Sequence, residues 1–260
     1  AMALALTSDI VLGTGVTCMP NHNPFMIAHR IAQLDHLARG RFHWGVGSGG
    51  FPGDFEVFGF DPKSGEQRQM TRDALDLVLQ LWDDPKPGLY EHKYWRFTVP
   101  EPDDSYGLRF HVKPYQKPHP QIWLPGVVSR DSLVWAATQR IPYIMLATEL
   151  QATRDAFQIY HDTAAELGYE SGSQNIGYLW KVHVDETEEL AEEAGRKYVQ
   201  GPSNPFLAGN EGTANPALLT LPGHTSRRRV LPTQRVATKN RGGQITVSTK
   251  PYEDQVEKYS

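Results

Sequence analysis

Three stretches carry residue types and spacings suited to chemistry. The first reads Gly126-Val127-Val128-Ser129-Arg130-Asp131-Ser132. An apolar run ends there, a glycine lets a ligand approach the backbone, and two hydroxyls fall on the first turn of a predicted helix. A helix start offers free N–H groups and the positive end of its dipole, which together hold an anion such as a phosphate. The same serines also read as ordinary capping, with Ser129 as N-cap and Ser132 as its neighbour at the third helical position. Spacing alone leaves both readings open.

The second stretch is Gly45-Val46-Gly47-Ser48-Gly49-Gly50. It has the glycine density of a dinucleotide fingerprint but the wrong spacing. No helix pattern starts directly after it, and no acidic residue closes a following strand. A strand end that a flat ring or a phosphate approaches closely fits better. The third is the histidine series His22, His29, His36 and His43, spaced by seven. Helical metal ligands need i, i+3 or i+4 spacing, so this series cannot converge on one ion and no metal site is expected. His29 and His36 read as surface or interface residues. His22 follows the first strand, on the side where parallel α/β proteins build sites, and reads as a general base or a substrate contact. Cys18 is a weak nucleophile candidate, a small buried filler being the more ordinary role.

These groups need elements to position them, and residues 10–50 supply a complete β-α-β unit. Ile10, Val11 and Leu12 form a short apolar run. Asn23 and Pro24 mark a helix N-cap and first helical position. Ile27, Ile31, Leu34 and Ala38 recur at helical spacing. Gly40 closes the helix, and Phe42, Trp44 and Val46 start the next strand. Residues 51–62 read as a long loop of the kind that walls a site. Ser64 and Gln67 match a capping box ahead of a helix with Met70, Ala74, Leu77, Val78, Leu81 and Trp82 inside. Within the irregular stretch 85–120, residues 94–97 and 109–112 are paired as a small hairpin, and Pro114, Pro118 and Pro120 hold an extended approach. Strands follow at 121–124, 143–147 and 176–184. Between them lie helices from Ser129 and from Ala152 to Leu167, the latter with Ala156, Phe157, Tyr160, Ala164 and Leu167 inward. Asp185 and Glu188 cap an acidic helix over 186–200. Five strands alternating with helices predict a parallel sheet, without choosing between an open sheet and a closed barrel.

Composition narrows the class. The 260 residues suit one large α/β barrel or two small domains, and the net charge of −4 argues against general nucleic-acid binding. A single cysteine excludes a disulfide framework and a zinc cluster. No signal peptide and no membrane-spanning run is found, so a cytoplasmic location is expected. Residues 201–243 form an irregular basic insertion. They read either as an arm that binds anions or nucleic acid or as a surface insertion, and the lack of interleaved aromatics to stack on bases favours the second. Residues 244–260 hold a candidate strand and the start of closing elements.

The motifs then match a known family. GTGVTCMPNHNP, AHRIAQLDHLARGRFHWGVGSGG and DFEVFGFD, followed by YWRF, the proline-rich run before QIWLPG, and SRDSLVWAA, resemble the bacterial luciferase-like flavin-dependent monooxygenases. The resemblance spans roughly residues 10–200, and its LDxLxxGRxxxGVGxG core is the most specific part. It implies a (β/α)8 TIM barrel, of which residues 1–200 would be the central part, truncated at both ends. Two strands would precede Ile10, and the family's usual catalytic histidine would lie there.

Such enzymes use reduced FMN, supplied by a separate flavin reductase, and O2 to oxygenate a small organic substrate such as an aldehyde or alkane. A sister group uses a deazaflavin for hydride transfer, and a non-catalytic flavin-binding fragment is a third reading. A homodimer or higher homo-oligomer is expected. Carried over by position, Gly15 and Val16 lie under the flavin ring, where the family can have a non-proline cis peptide. Gly47 and Ser48 form the neighbouring wall. Ser48 stands where the luciferases proper have a phosphate-binding arginine, Gly47 replaces their reactive cysteine, and Val128 replaces a family glutamate. Gly126, Ser129 and Ser132 match the phosphate site.

Overall fold

The computed structural model describes residues 1–49, 52–61, 64–126, 129–146, 150–179 and 184–194. The basic insertion 201–243, the candidate strand in 244–260 and Val128 lie outside the described residues. The elements run in order as α1 (Met2–Leu6), β1 (Leu12–Gly13), β2 (Thr17–Cys18), a 3-10 turn (Met19–Asn21), α2 (Pro24–Ala38), β3 (Phe42–Gly47), α3 (Pro52–Phe58), α4 (Glu66–Asp83), β4 (Gly88–Glu91), β5 (Arg96–Val99), β6 (Gln121–Gly126), α5 (Arg130–Thr138), β7 (Tyr143–Leu146), α6 (Leu150–Glu166), β8 (Ile176–Leu179) and α7 (Glu188–Ala194). No described helix is long and apolar enough to cross a membrane.

Two compact units result. In the first, β3 is flanked by parallel partners: β1 and β2 on one edge and β6 on the other. Phe42, Trp44 and Val46 are buried, as are Ile27, Ile31 and Ala38 of α2 and Met70, Ala74, Val78, Leu81 and Trp82 of α4. The indole N–H of Trp82 donates to the Ala28 carbonyl at 3.0 Å, and its ring meets Trp44 edge-on at 5.3 Å. That pair joins α2, α4 and β3 into one core. In the second unit β7 and β8 pair in parallel, and α6 buries Ala152, Ala156, Tyr160 and Ala164. The Tyr160 hydroxyl donates to the Ile141 carbonyl at 3.0 Å, which satisfies its one polar atom inside this layer.

α2 follows from local chemistry. The Asn23 side chain accepts the Phe25 N–H at 2.9 Å, Pro24 opens the first turn, and Arg39 and Gly40 take positive φ at the end. An Asn cap contributes about 1 kcal/mol.

Several expectations are corrected. The first strand begins at Leu12, since Ile10 and Val11 are exposed and the Ile10 carbonyl accepts from the Arg41 guanidinium at 2.8 Å. Residues 52–58 form a helix rather than a loop; Pro52 opens it, Asp54 lies in its first turn, and Gly59 follows at positive φ. α4 starts at Glu66, two residues after Ser64, and the Ser64 hydroxyl donates to the Asp61 carbonyl at 2.8 Å.

The hairpin joins Arg96–Val99 to Gly88–Glu91, not to residues 109–112, because the short turn closed by His92 N–H on the Trp95 carbonyl makes the upstream segment the near partner. Bends interrupt residues 115–118 on the proline-rich approach, where Lys117-Pro118 is cis. Leu167 is exposed, lying past the end of α6. α7 begins at Glu188, with the Thr187 hydroxyl accepting the Leu190 N–H, and none of its residues is buried.

Candidate functional site

The ends of β1 and β3 build the first cluster. Gly13 stands opposite His43, and Thr17 opposite Val46. Thr14, Gly15 and Val16 therefore face only Trp44 and Gly45, an insertion of one residue that makes a bulge. The Thr14 N–H still donates to the His43 carbonyl, at 3.3 Å. In an unbroken parallel ladder the next bond would take the Gly45 N–H to the Thr14 carbonyl. Here the Thr14 hydroxyl accepts that N–H at 2.9 Å and donates to the Gly45 carbonyl at 3.0 Å. The Gly15-Val16 peptide is cis, as the family resemblance implies.

The glycines here have different physical reasons. A Cβ on Gly45 would strike the Thr14 carbonyl oxygen, which lies against the strand. A Cβ on Gly47 would come within 2.6 Å of Val16 Cγ2. Both glycines of the β3 end are thus required by the bulge that packs on them. Gly15 is the opposite case: it is exposed, and nothing lies within 4 Å of where its Cβ would be.

Ser48 sits just past β3. The Thr71 hydroxyl lies 2.7 Å from the Gln67 carbonyl and 2.9 Å from the Ser48 hydroxyl. Thr71 has one proton, and the carbonyl, which can only accept, takes it. Ser48 must then donate its own proton to Thr71. Its oxygen keeps lone pairs, but its single donor is already spoken for.

His22 caps the 3-10 turn, its N–H bonded to the Met19 carbonyl. Burial first, and the Arg30 charge second, hold its imidazole below the ordinary histidine range. It is therefore neutral at neutral pH, the form that can take a proton. His29 and His36 are tied within the chain, His29 to the Phe25 carbonyl and the Phe110 ring, His36 to the Lys113 carbonyl. Among the described residues no group of histidine, cysteine and acidic side chains is arranged to hold a metal ion.

The second cluster belongs to the other unit. Ser129 is the N-cap of α5, buried, with its Oγ accepting the Ser132 N–H at 3.4 Å. That bond uses a lone pair and leaves the proton of the Ser129 hydroxyl out of the cap. Ser132 is half-buried on the first turn. Gly126 has an internal reason to be glycine: a Cβ there would overlap the Tyr143 hydroxyl. Burial raises the pKa of that phenol strongly, so it stays protonated.

Three residues that matter here carried no readable signal in the sequence. Thr71 lies 23 residues from Ser48, and Tyr143 lies on a strand with no motif. Thr14 stood in view between two glycines, but only the register reveals what its hydroxyl does.

A sequence model of the family described as luciferase-like monooxygenase matches residues 1–247. The chain belongs to that family. Among relatives of this luciferase-like chain, limonene 1,2-monooxygenase from Rhodococcus erythropolis is 31% identical over 200 residues, covering 74% of the chain and 47% of the relative. The chain thus spans about half the length of that enzyme.

Among solved structures, the oxygenating constituent of 3,6-diketocamphane monooxygenase from Pseudomonas putida, in complex with FMN, aligns with a TM-score of 0.69 at 20% identity. It covers 99% of this chain and 67% of that one. The coenzyme F420-dependent tetrahydromethanopterin reductase from Methanopyrus kandleri aligns with a TM-score of 0.57 at 21% identity, covering 74% of this chain and 56% of that one. These likenesses establish the fold class of the luciferase-like barrel, to which the alternating, parallel-paired elements conform.

Taken separately, each cluster offers groups that suit part of a flavin. The open space at Gly15 leaves one side of the bulge free for a flat ring. The start of α5 offers hydroxyls and N–H groups of the kind that hold a phosphate.

Proposed function

We propose that the chain is part of a flavin-dependent monooxygenase that uses reduced FMN and O2 to oxygenate a small apolar organic substrate. The observation that carries this reading is Gly15, an exposed glycine in open space on a bulge whose neighbours are otherwise packed. Family membership and the FMN in the diketocamphane structure support it. Bound reduced flavin supplies the electrons that activate O2.

The chain's own residues bind, orient and shield. Gly15 and Val16 form the floor beneath the ring, and Gly47 and Ser48 the adjoining wall. Ser129 and Ser132, beside Gly126, hold the phosphate by hydroxyl donors and free helical N–H groups. His22, neutral at neutral pH, accepts a proton from the substrate side. A separate flavin reductase delivers the reduced cofactor. We further propose a homodimer or higher homo-oligomer.

A second reading is favoured by the F420-dependent relative of the same fold: a deazaflavin oxidoreductase that transfers hydride without O2. Anaerobic titration with reduced FMN and with reduced deazaflavin separates the two. Preferential binding of reduced FMN, followed by oxygen incorporation into limonene or a cyclic ketone on admission of air, supports the proposal. Preferential deazaflavin binding with hydride transfer replaces it. Reduced FMN bound without any oxygenation leaves a non-catalytic flavin-binding chain, and binding of neither cofactor removes both readings.

A further inference from the structure

We propose that Thr14 is the positioning residue of this flavin site, acting through the peptide units of Gly15 and Val16; the inference rests on the flavin reading above. Three observations converge on it. The register advances by one residue between Gly13↔His43 and Thr17↔Val46. At that step the Thr14 side chain, not its carbonyl, occupies the N–H of Gly45, and the same hydroxyl also donates to the Gly45 carbonyl. Among the described residues no backbone hydrogen bond takes the N–H of Gly15 or of Val16.

The hydroxyl therefore acts as a one-residue substitute for the ladder. It lets Gly15 and Val16 leave the sheet while β2 rejoins it in register. The displaced Thr14 carbonyl rests on Gly45, and the Val16 side chain rests on Gly47, so the bulge is fixed at both ends. Between those anchors the open side of Gly15 and the two unused N–H donors are left to a ligand. A flat heteroaromatic ring with carbonyl acceptors on its edge is the chemistry they fit: the ring lies against the glycine, and a carbonyl oxygen meets an N–H. Thr14 touches neither ring nor substrate. It sets the angle at which the floor is presented.

The test compares Thr14→Val, which keeps the shape and removes the hydroxyl, with Thr14→Ser, which keeps the hydroxyl. Three readouts are taken on the full chain: amide hydrogen exchange of Gly45 without flavin, the dissociation constant for reduced FMN, and the visible spectrum of bound oxidised FMN. Thr14→Val is expected to speed Gly45 exchange, to weaken FMN by about ten-fold and to shift the bound spectrum. Thr14→Ser is expected to stay within about three-fold of wild type with an unshifted spectrum.

If Thr14→Val exchanges faster at Gly45 yet binds FMN with wild-type affinity and spectrum, the clamp is structural only and the proposal is wrong. Should Thr14→Val not fold, Thr14→Ser still decides: loss of FMN affinity with Gly45 protection intact would overturn the role given to the hydroxyl. If wild type itself binds no flavin, the functional reading fails first and this proposal falls with it. A Thr14→Val defect alone leaves that reading standing.

Discussion

Gln116 gives both of its nitrogen donors to one carboxylate: its backbone N–H reaches Asp35 Oδ2 at 2.8 Å and its side-chain amide reaches Oδ1 at 2.7 Å. The same amide also donates to the Phe42 carbonyl at 2.8 Å, so the loop before β6 is tied to both α2 and β3. Asp35 is fully buried in that arrangement. Replacing Asp35 by Ala strands two donors in the interior and is expected to cost about 3 kcal/mol, with Asp35→Asn costing about 1–2 kcal/mol because its NH2 must face a donor. Urea unfolding of the two variants measures this, and a loss below 0.5 kcal/mol for Asp35→Ala would contradict the assigned role, since that is the lower end for one ordinary hydrogen bond, about 0.5–1.5 kcal/mol.

The glycines separate packing from binding. Gly45→Ala forces a methyl onto the Thr14 carbonyl, and Gly47→Ala presses on Val16; both are expected to destabilise the chain, Gly45→Ala by about 2 kcal/mol or more. Gly15→Ala meets nothing within 4 Å and is expected to leave the melting temperature within about 2 °C while weakening reduced FMN by about ten-fold, because the methyl occupies the ring's place. Thermal melts set beside flavin titrations check the pair. Wild-type FMN affinity in Gly15→Ala would move the ring off this floor.

At α5 the two serines are separable by ligand. Ser129→Ala removes the N-cap acceptor and is expected to cost about 1 kcal/mol of stability as well as FMN affinity. Ser132→Ala keeps the cap, because Ser132 contributes its N–H rather than its hydroxyl to it. Its stability should be unchanged and its FMN affinity about five-fold weaker, with riboflavin, which lacks the phosphate, unaffected. An equal loss for both flavins would place the Ser132 hydroxyl away from the phosphate.

The shift at His22 has a pH signature. Burial and Arg30 lower the folded pKa from 6.5, so the unfolded chain takes up a proton first as the pH falls. Stability contributed by the neutral imidazole is full above 6.5 and is lost as the pH drops from there through the lowered folded value. His22→Gln should flatten that part of the stability profile, with His43, also lowered by burial, accounting for what slope remains. Unfolding curves between pH 7.5 and about 5 follow it. An unchanged profile would mean that His22 titrates alike in both states.

Local chemistry made much of the fold legible. Asn23-Pro24 and Gly40 bound α2 because caps act within one turn of the chain. The inward stripe of α4 and the alternation of Phe42, Trp44 and Val46 could be read because one face of each element is buried. The hairpin partner was misassigned because one upstream and one downstream segment both offered strand-like composition and only loop length decides between them. α3 was missed because seven residues give too little periodicity to set against their Gly and Pro content. In the site, glycine positions were readable but their reasons were not. Gly47 and Gly126 answer to Val16 and Tyr143, contacts that depend on which strands become neighbours.

The bulge at Thr14 also works as a phase slip. Leu12 pairs with Phe42 and Thr17 with Val46, and the indole N–H of Trp44 reaches the Thr17 hydroxyl at 3.1 Å. An even-numbered residue before the slip and an odd-numbered one after it therefore look the same way, toward the helices. The bulge thus absorbs the extra residue and brings β2 back into phase with β3. Deleting one residue from Thr14-Gly15-Val16 would accordingly restore plain alternation with Thr17 still opposite Val46 and Cys18 opposite Gly47: the bulge would go, while the strand leading to His22 would keep its facing.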